Sequence, residues 1–149
     1  MIAVDANVLL HAHRADSPLH ALAAAVMRQL AETMSGWGLP WPCVHEFYAK
    51  VTQHKSLVPP SGPQQAMAQI ETWLSSPSVS MLGEALDHWP RLQELLTSAR
   101  IQRPMVHDAR IARACLSHGV VKLLTANRDF GRVPGLKTRN PLIRHGMEI

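Results

Sequence analysis

Short apolar runs alternate with amphipathic helical segments along most of the chain, and this alternation limits the folds that the chain can adopt. The run "VVKLLTA" at 120–126 is rich in β-branched and apolar residues and predicts a strand, as do shorter runs at 2–4 and 78–82. A further extended piece is expected up to Pro42. Strands that alternate with helices are typical of parallel sheets, so we predict an α/β fold with a central, mostly parallel β-sheet flanked by helices.

Five helices are predicted from the helical spacing of apolar residues and from capping residues. The first is expected from Asp16 or Ser17 to Gly36 and the second after Pro42 as far as Val51. The third is expected to begin at a Ser61 cap and to bury Met67, Ile70, Trp73 and Leu74. The last two are expected from Asp87 to Arg100 and over 104–119. The segment after 133 is rich in turn residues. We therefore place one domain at 1–142 and a flexible tail at 143–149.

The composition excludes several classes of protein. Cys43 and Cys115 lack C-x-x-C spacing, so we expect buried free thiols rather than disulfides or a zinc site. The chain has neither the roughly 18 consecutive apolar residues of a membrane span nor a signal-like N-terminus. We therefore expect a cytoplasmic protein that does not bind a membrane.

Positive charge is concentrated in the last third of the chain. Residues 100–149 contain ten Lys and Arg against three acids, whereas residues 1–99 contain five against eight. This basic region suits a polyanion such as nucleic acid. A solvated basic surface explains it equally well.

Four acidic residues stand where an α/β fold would gather side chains at one edge of its sheet. They are Asp5 after the first strand, Glu46 early in the second helix, Asp108 early in the last helix, and Asp129 after the last strong strand. Taken singly, each is explained by a helix cap, the helix dipole or a turn. Together they would repel one another unless a cation were bound, and oxygen ligands without Cys favour Mg²⁺ or Mn²⁺.

The same residues carry a family resemblance. "VDAN" at the start, "HE" in the second helix, "VHDARIA" and "LLTANRDF" together resemble the PIN-domain ribonucleases, in particular the VapC-like toxins of bacterial type II toxin–antitoxin pairs. The resemblance spans roughly 1–142 and includes the order and spacing of all four acids. It implies a three-layer PIN-like fold.

The resemblance also implies an activity, a metal-dependent endoribonuclease that cleaves RNA with activated water. Asp5, Glu46, Asp108 and Asp129 would be the catalytic residues and would bind Mg²⁺ or Mn²⁺. The family often has T-x-D-x-D-F where this chain has "TANRDF", so Asn127 replaces one candidate acid. The family's frequent Thr after the first Asp is Ala6 here.

Several other residues are candidates for supporting roles. Asn7, Thr125 and Asn127 are expected to orient the acids by hydrogen bonding. Four arginines are candidates for holding RNA phosphates, although an ordinary solvated surface is the alternative: Arg110, Arg113, Arg128 and Arg132. The nine histidines lack a zinc-binding spacing and are interpreted as surface or supporting residues. The four tryptophans are expected in the core or at an interface rather than under RNA bases.

As a VapC-like toxin, the chain would form a homodimer and would bind a cognate antitoxin that covers the acidic site. A stand-alone PIN ribonuclease and a catalytically silent module that binds RNA or a protein are the alternatives. A haloacid-dehalogenase-like phosphatase also has an Asp after its first strand, but it needs a second Asp two positions later, where this chain has Asn7.

Overall fold

The computed structural model describes residues 1–55 and 57–144. In chain order these residues form β1 (Ile2–Val4), α1 (Ala6–His13), α2 (His20–Glu32), β2 (Trp37–Pro40), α3 (Trp41–Val51), α4 (Pro63–Leu74), β3 (Val79–Leu82), α5 (His88–Ser98), α6 (Met105–Ser117), β4 (Lys122–Leu124), a 3₁₀ helix (Arg128–Arg132) and β5 (Lys137–Arg139).

The five strands form one sheet in the order β3-β2-β1-β4-β5, and each neighbouring pair is parallel. Ile2 of β1 stands opposite Trp37 on one side and Lys122 on the other. Six helices accompany the sheet, so the predicted α/β fold with a parallel sheet is confirmed. Because β1 is the central strand, the residue that follows it lies midway along the carboxyl edge of the sheet.

Apolar side chains from the sheet and helices share one core. Every residue of β2 is buried, as are the last two residues of β1 and of β4. Such continuous burial is typical of parallel strands covered on both faces. Trp37, Phe47 and Phe130 are among its largest fully buried side chains.

Three elements were not predicted from the sequence: α1, the 3₁₀ helix at Arg128–Arg132 and β5. Residues 6–13 form α1, which begins directly after β1 with the Asp5 side chain accepting a hydrogen bond from the Ala6 amide. Residues 137–139 form the edge strand β5, although two of these three residues are exposed and none is apolar.

Several predicted boundaries were wrong by a few residues. α2 runs over His20–Glu32, so it starts after Pro18 and ends before Gly36. α4 begins after Gly62, whose amide is bound by the Gln65 side chain, and Ser61 is buried instead of capping the helix.

Burial in α4 differs from the prediction at Met67, and Ile70 and Leu74 are only half-buried. Trp73 is buried as predicted, whereas the Met67 residue is 45% exposed. Met67 therefore lies on the outer side of α4 and adds little to the core.

The predicted tail at 143–149 falls mostly on residues 145–149, which lie outside the described residues. Among the residues that are described, no helix combines the length and the apolar character needed to cross a membrane.

Candidate active site

Asp5 lies at the centre of the candidate site and is almost fully buried, with 4% of its surface exposed. Its Oδ1 accepts hydrogen bonds from the Ala6 amide at 2.8 Å and from the Cys43 thiol at 3.5 Å. Its Oδ2 accepts from Thr125 Oγ1 at 2.7 Å and from Asn7 Nδ2 at 3.0 Å. Donors from the start of α1, from α3 and from the residue after β4 therefore hold this carboxylate in one orientation.

Thr125, directly after β4, connects the two sides of the site. Its hydroxyl donates to Asp5 and accepts from the Asn127 amide at 2.9 Å and from Asn7 Nδ2 at 3.2 Å. Asn7 Oδ1 in turn accepts from the Ala126 amide at 3.1 Å. Asn7 and Thr125 thus both donate to Asp5 and are bonded to each other.

Asn127 connects the other two acids of this side. Its Nδ2 donates to Asp108 Oδ2 at 3.3 Å, and its Oδ1 accepts from the Asp129 amide at 3.0 Å, which caps the 3₁₀ helix. The Asp129 residue itself is exposed. A neutral side-chain amide therefore contacts the Asp108 carboxylate and the Asp129 backbone, at the position where the resemblance to the family would place a further acid.

Glu46 and Asp108 line the same open cleft, of about 270 Å³, together with Pro42, His45, His107, Arg110 and Ile111. The Glu46 carboxylate is bound to Lys50 Nζ at 2.8 Å, one turn along α3. The cleft thus joins the starts of α3 and α6.

The acids influence one another's ionisation. Burial raises the pKa of the Asp5 carboxyl above its usual value, and hydrogen bonds from Thr125 and Ala6 partly oppose this. The nearby Glu46 charge raises the pKa of Asp5 further.

Asp108 behaves in the same way. Burial raises its pKa most, and the hydrogen bond from Asn127 opposes the rise. The carboxylates of Asp5, Asp129 and Glu46 each raise the pKa of Asp108 further. Asp108 is therefore close enough to the other three acids to feel their charge.

The donor set fits a hard divalent cation in its chemistry and charge. All four candidate ligands are carboxylates, and within residues 1–55 and 57–144 no salt bridge neutralises Asp5, Asp108 or Asp129. The coordination shell is not already assembled, since no three described His, Cys, Asp or Glu side chains meet closely enough to hold an ion. Glu46, for example, would have to leave Lys50.

The four candidate arginines lie in different surroundings. Arg110 lines the cleft and forms a salt bridge of 2.5 Å with Glu84. Arg113 donates to Ser117, and Arg132 donates to the Ala99 carbonyl and to Met105 Sδ. Arg128 is exposed at the start of the 3₁₀ helix.

Sequence reasoning missed two residues of the site. Cys43 was expected to be only a buried free thiol, which it is, yet it also donates to Asp5. Burial raises the pKa of the Cys43 thiol well above its usual value, so it remains a donor. Trp41 was expected in the core or at an interface, yet 39% of its surface is exposed beside the cleft. Nothing in the sequence distinguished it from the buried Trp37.

Comparison with known families decides the membership of the chain. The model of the PIN domain matches residues 2–136. The chain belongs to the PIN domain family. Its sequence is 31% identical over 142 residues to Ribonuclease VapC43 of Mycobacterium tuberculosis, covering 95% of this chain and 96% of that PIN protein. Ribonuclease VapC48 of the same organism is 29% identical over 140 residues, with 92% and 94% covered. The predicted resemblance to VapC-like PIN proteins is thus confirmed.

Solved structures show the same PIN fold. Mycobacterium tuberculosis VapC20, described as a Sarcin-Ricin loop cleaving toxin, aligns with a TM-score of 0.68 at 16% identity, covering 94% of this chain and all of that one. VapBC2 from Rickettsia felis, bound to a DNA fragment from its promoter, aligns with a TM-score of 0.68 at 18% identity, covering 94% and 98%.

Proposed function

We propose that this PIN protein is a divalent-metal-dependent endoribonuclease and the toxin of a type II toxin–antitoxin pair. The observation that carries the proposal is the convergence of acids remote in sequence: Glu46 and Asp108 line one cleft, the Glu46 charge raises the pKa of Asp5, and the charges of Asp5, Asp129 and Glu46 raise the pKa of Asp108. A fold that gathers such charge gains most from binding a cation. The VapC relatives named as ribonucleases support RNA as the substrate.

The chain's own residues would have distinct tasks. Asp5 and Asp108, each fixed by at least one hydrogen bond, would hold the metal, with Glu46 and Asp129 completing the set. Thr125 and Asn7 keep the Asp5 carboxylate oriented. Mg²⁺ or Mn²⁺ bound there would lower the pKa of an attacking water and offset charge on the phosphoryl oxygens. We expect products with a 5′-phosphate and a 3′-hydroxyl.

The decisive experiment compares RNA cleavage by the wild type and by Asp5→Asn and Asp108→Asn, in Mg²⁺ and in chelator. Asp87→Asn is the matched control, because Asp87 is an exposed acid paired with Arg91 on α5. We expect cleavage only with Mg²⁺, a loss of at least about 100-fold in the two site variants, and a change below twofold in the control. Full activity of either site variant, or in chelator, would refute the proposal.

We further propose that the protein pairs with a cognate antitoxin and forms a homodimer, with the nuclease domain at 1–142. The solved neighbours include VapBC assemblies from Rickettsia felis and Salmonella typhimurium, which supports an antitoxin partner. Co-expression with the product of a short adjacent reading frame tests this, since it should yield a complex that no longer cleaves RNA. A complex with undiminished activity would contradict the assignment.

A further inference from the structure

Two aromatic rings lie together at the rim of the acidic cleft. The indole of Trp41 and the imidazole of His45 are 6.3 Å apart between centroids, with their planes inclined by only 28°. Trp41 exposes 39% of its surface, whereas Trp37 exposes 1% and Trp73 exposes 8%. An indole that is left partly in water beside a candidate active site is available to a ligand.

The position of this ring pair follows from the fold. β2 ends at Pro40 and α3 begins at Trp41, so Trp41 lies on the carboxyl edge of the sheet. Thr125 lies across β1 from it, because β2 and β4 flank the central strand. A Cβ placed on Gly83, just after β3, would be 3.8 Å from Trp41 Cδ1, so the indole edge rests near that backbone.

The ring pair is continuous with the acids. His45 lines the cleft together with Glu46 and Asp108. Arg110 lines it as well and is held by Glu84, so a cationic group remains close to the carboxylates. At about 270 Å³ the cleft lies just below the roughly 300 Å³ at which sites for drug-sized ligands begin. The cleft next to the ring pair is therefore small.

We propose that Trp41 and His45 form a stacking platform for one nucleobase of single-stranded RNA, next to the phosphate that is cut. This inference rests on the proposed ribonuclease function. Bases splayed out of a single strand stack on aromatic side chains, and the stacking tolerates different bases because each has a π-face. Phosphate contacts from Arg110 would fix the register without reading sequence.

Binding can be measured separately from cleavage. In the Asp5→Asn background with Mg²⁺, the affinity for a fluorescein-labelled single-stranded oligoribonucleotide is measured by anisotropy for Trp41→Phe and Trp41→Leu. Both substitutions keep an apolar side chain, but only Phe retains an aromatic face. We expect binding about 5- to 100-fold weaker for Leu and within about threefold of the parent for Phe. Trp89→Leu, on exposed α5, is the control and should change binding less than twofold.

An abasic scan identifies the stacked base. The base is removed from one oligonucleotide position at a time and the affinity is measured. The protein that retains Trp41 should bind much more weakly when the base is missing at one particular position. In the Trp41→Leu variant, removing the base at that position should weaken binding hardly any further, because the stacking platform is already absent. Equal binding by the Leu and Phe variants, or an abasic loss that persists in the Leu variant, overturns the proposal. Urea unfolding of both variants verifies that they fold.

The remaining outcomes separate the two proposals. If Trp41→Leu binds RNA normally but binds the cognate antitoxin weakly, the rings belong to a protein interface and the base platform is refuted. If the abasic coupling appears while the wild type never cleaves RNA, the platform stands and the nuclease proposal falls. In cleavage assays the Leu variant should raise KM with kcat nearly unchanged, the signature of lost uniform binding.

Discussion

Replacing Thr125 by Val tests the hydrogen-bond network that holds Asp5. Val has nearly the shape of Thr, so the core contacts of this buried residue are kept while the hydroxyl is lost. The substitution removes a 2.7 Å donor to the Asp5 carboxylate and an acceptor 2.9 Å from the Asn127 amide. Asn7 keeps its bond to Asp5.

The expected cost follows from these contacts. A hydrogen bond to a charged group contributes about 1.5–3 kcal/mol and a neutral one about 0.5–1.5 kcal/mol. Water replaces part of the loss at the half-buried Asn127, so we expect Thr125→Val to lower the free energy of unfolding by about 2–4 kcal/mol. Thr125→Ser keeps the hydroxyl and loses one methyl group, which costs about 0.8 kcal/mol.

Urea unfolding in chelator measures both variants without a contribution from bound metal. The Thr125 hydrogen bond lowers the pKa of Asp5, which means that it favours the ionised form. Its charge-assisted part is therefore present while Asp5 is ionised and is lost as the pH falls through the pKa of Asp5. The difference between the Val and Ser variants should shrink in acid. A difference below about 0.5 kcal/mol at neutral pH, or one independent of pH, would refute this reasoning.

Three further predictions concern the site and the core. Asn127→Asp replaces the side-chain amide that donates to Asp108 by an additional carboxylate, so the free energy of unfolding in chelator should fall by about 1–2 kcal/mol. Adding Mg²⁺ should raise the melting temperature of this variant more than that of the wild type. An equal rise would contradict the role of residue 127. The pKa of Asp108 is raised in the fold above 3.8, so protonation of Asp108 adds stability that is present below 3.8 and is lost as the pH rises through the folded-state value. The stability of Asp108→Asn relative to the wild type should therefore increase with pH in chelator, and a flat difference would rule this out. Phe130→Ala should cost about 3–5 kcal/mol in urea unfolding, because this ring is fully buried; a cost below 1 kcal/mol would contradict its place in the core.

The inner strands and the edge strand β3 were predictable, whereas β5, at the other edge of the sheet, was not. β1 and β4 consist largely of buried apolar residues, so their composition indicates a strand. β5 reads Lys137-Thr138-Arg139 and is defined by its hydrogen bonds to β4 rather than by any apolar pattern. The edge strand β3 kept alternating apolar residues and was predicted, whereas β5 has none, which removes the signal that sequence reasoning uses.

α1 escaped prediction for a different reason. It has eight residues and follows β1 without a loop. No turn residues therefore mark where the residue pattern of a strand ends and that of a helix begins. Asp5 serves both elements, as the residue after the strand and as the helix cap. The sequence allowed Asp5 to be interpreted either as a helix cap or as a site residue. The two interpretations are compatible, because one carboxylate can do both.

The acids of the site could be named from sequence, but their partners could not. Order and spacing identified Asp5 and Asp108 as candidates for one cluster. The thiol of Cys43 next to Asp5 and the two-sided bonding of Asn127 depend on how α3 and the 3₁₀ helix pack. Such contacts carry no local pattern, since each joins residues from different elements.

The bond between Asp5 and Thr125 joins residues 120 positions apart. A ribosome adds about 5–20 residues per second, so Thr125 is synthesised about 6–24 s after Asp5. Unfinished copies that stop before β4 lack the Thr125 hydroxyl, the donor of the shortest hydrogen bond to the Asp5 carboxylate. The hydrogen-bond network around Asp5 is therefore completed only after the strand that ends at Leu124 has been synthesised.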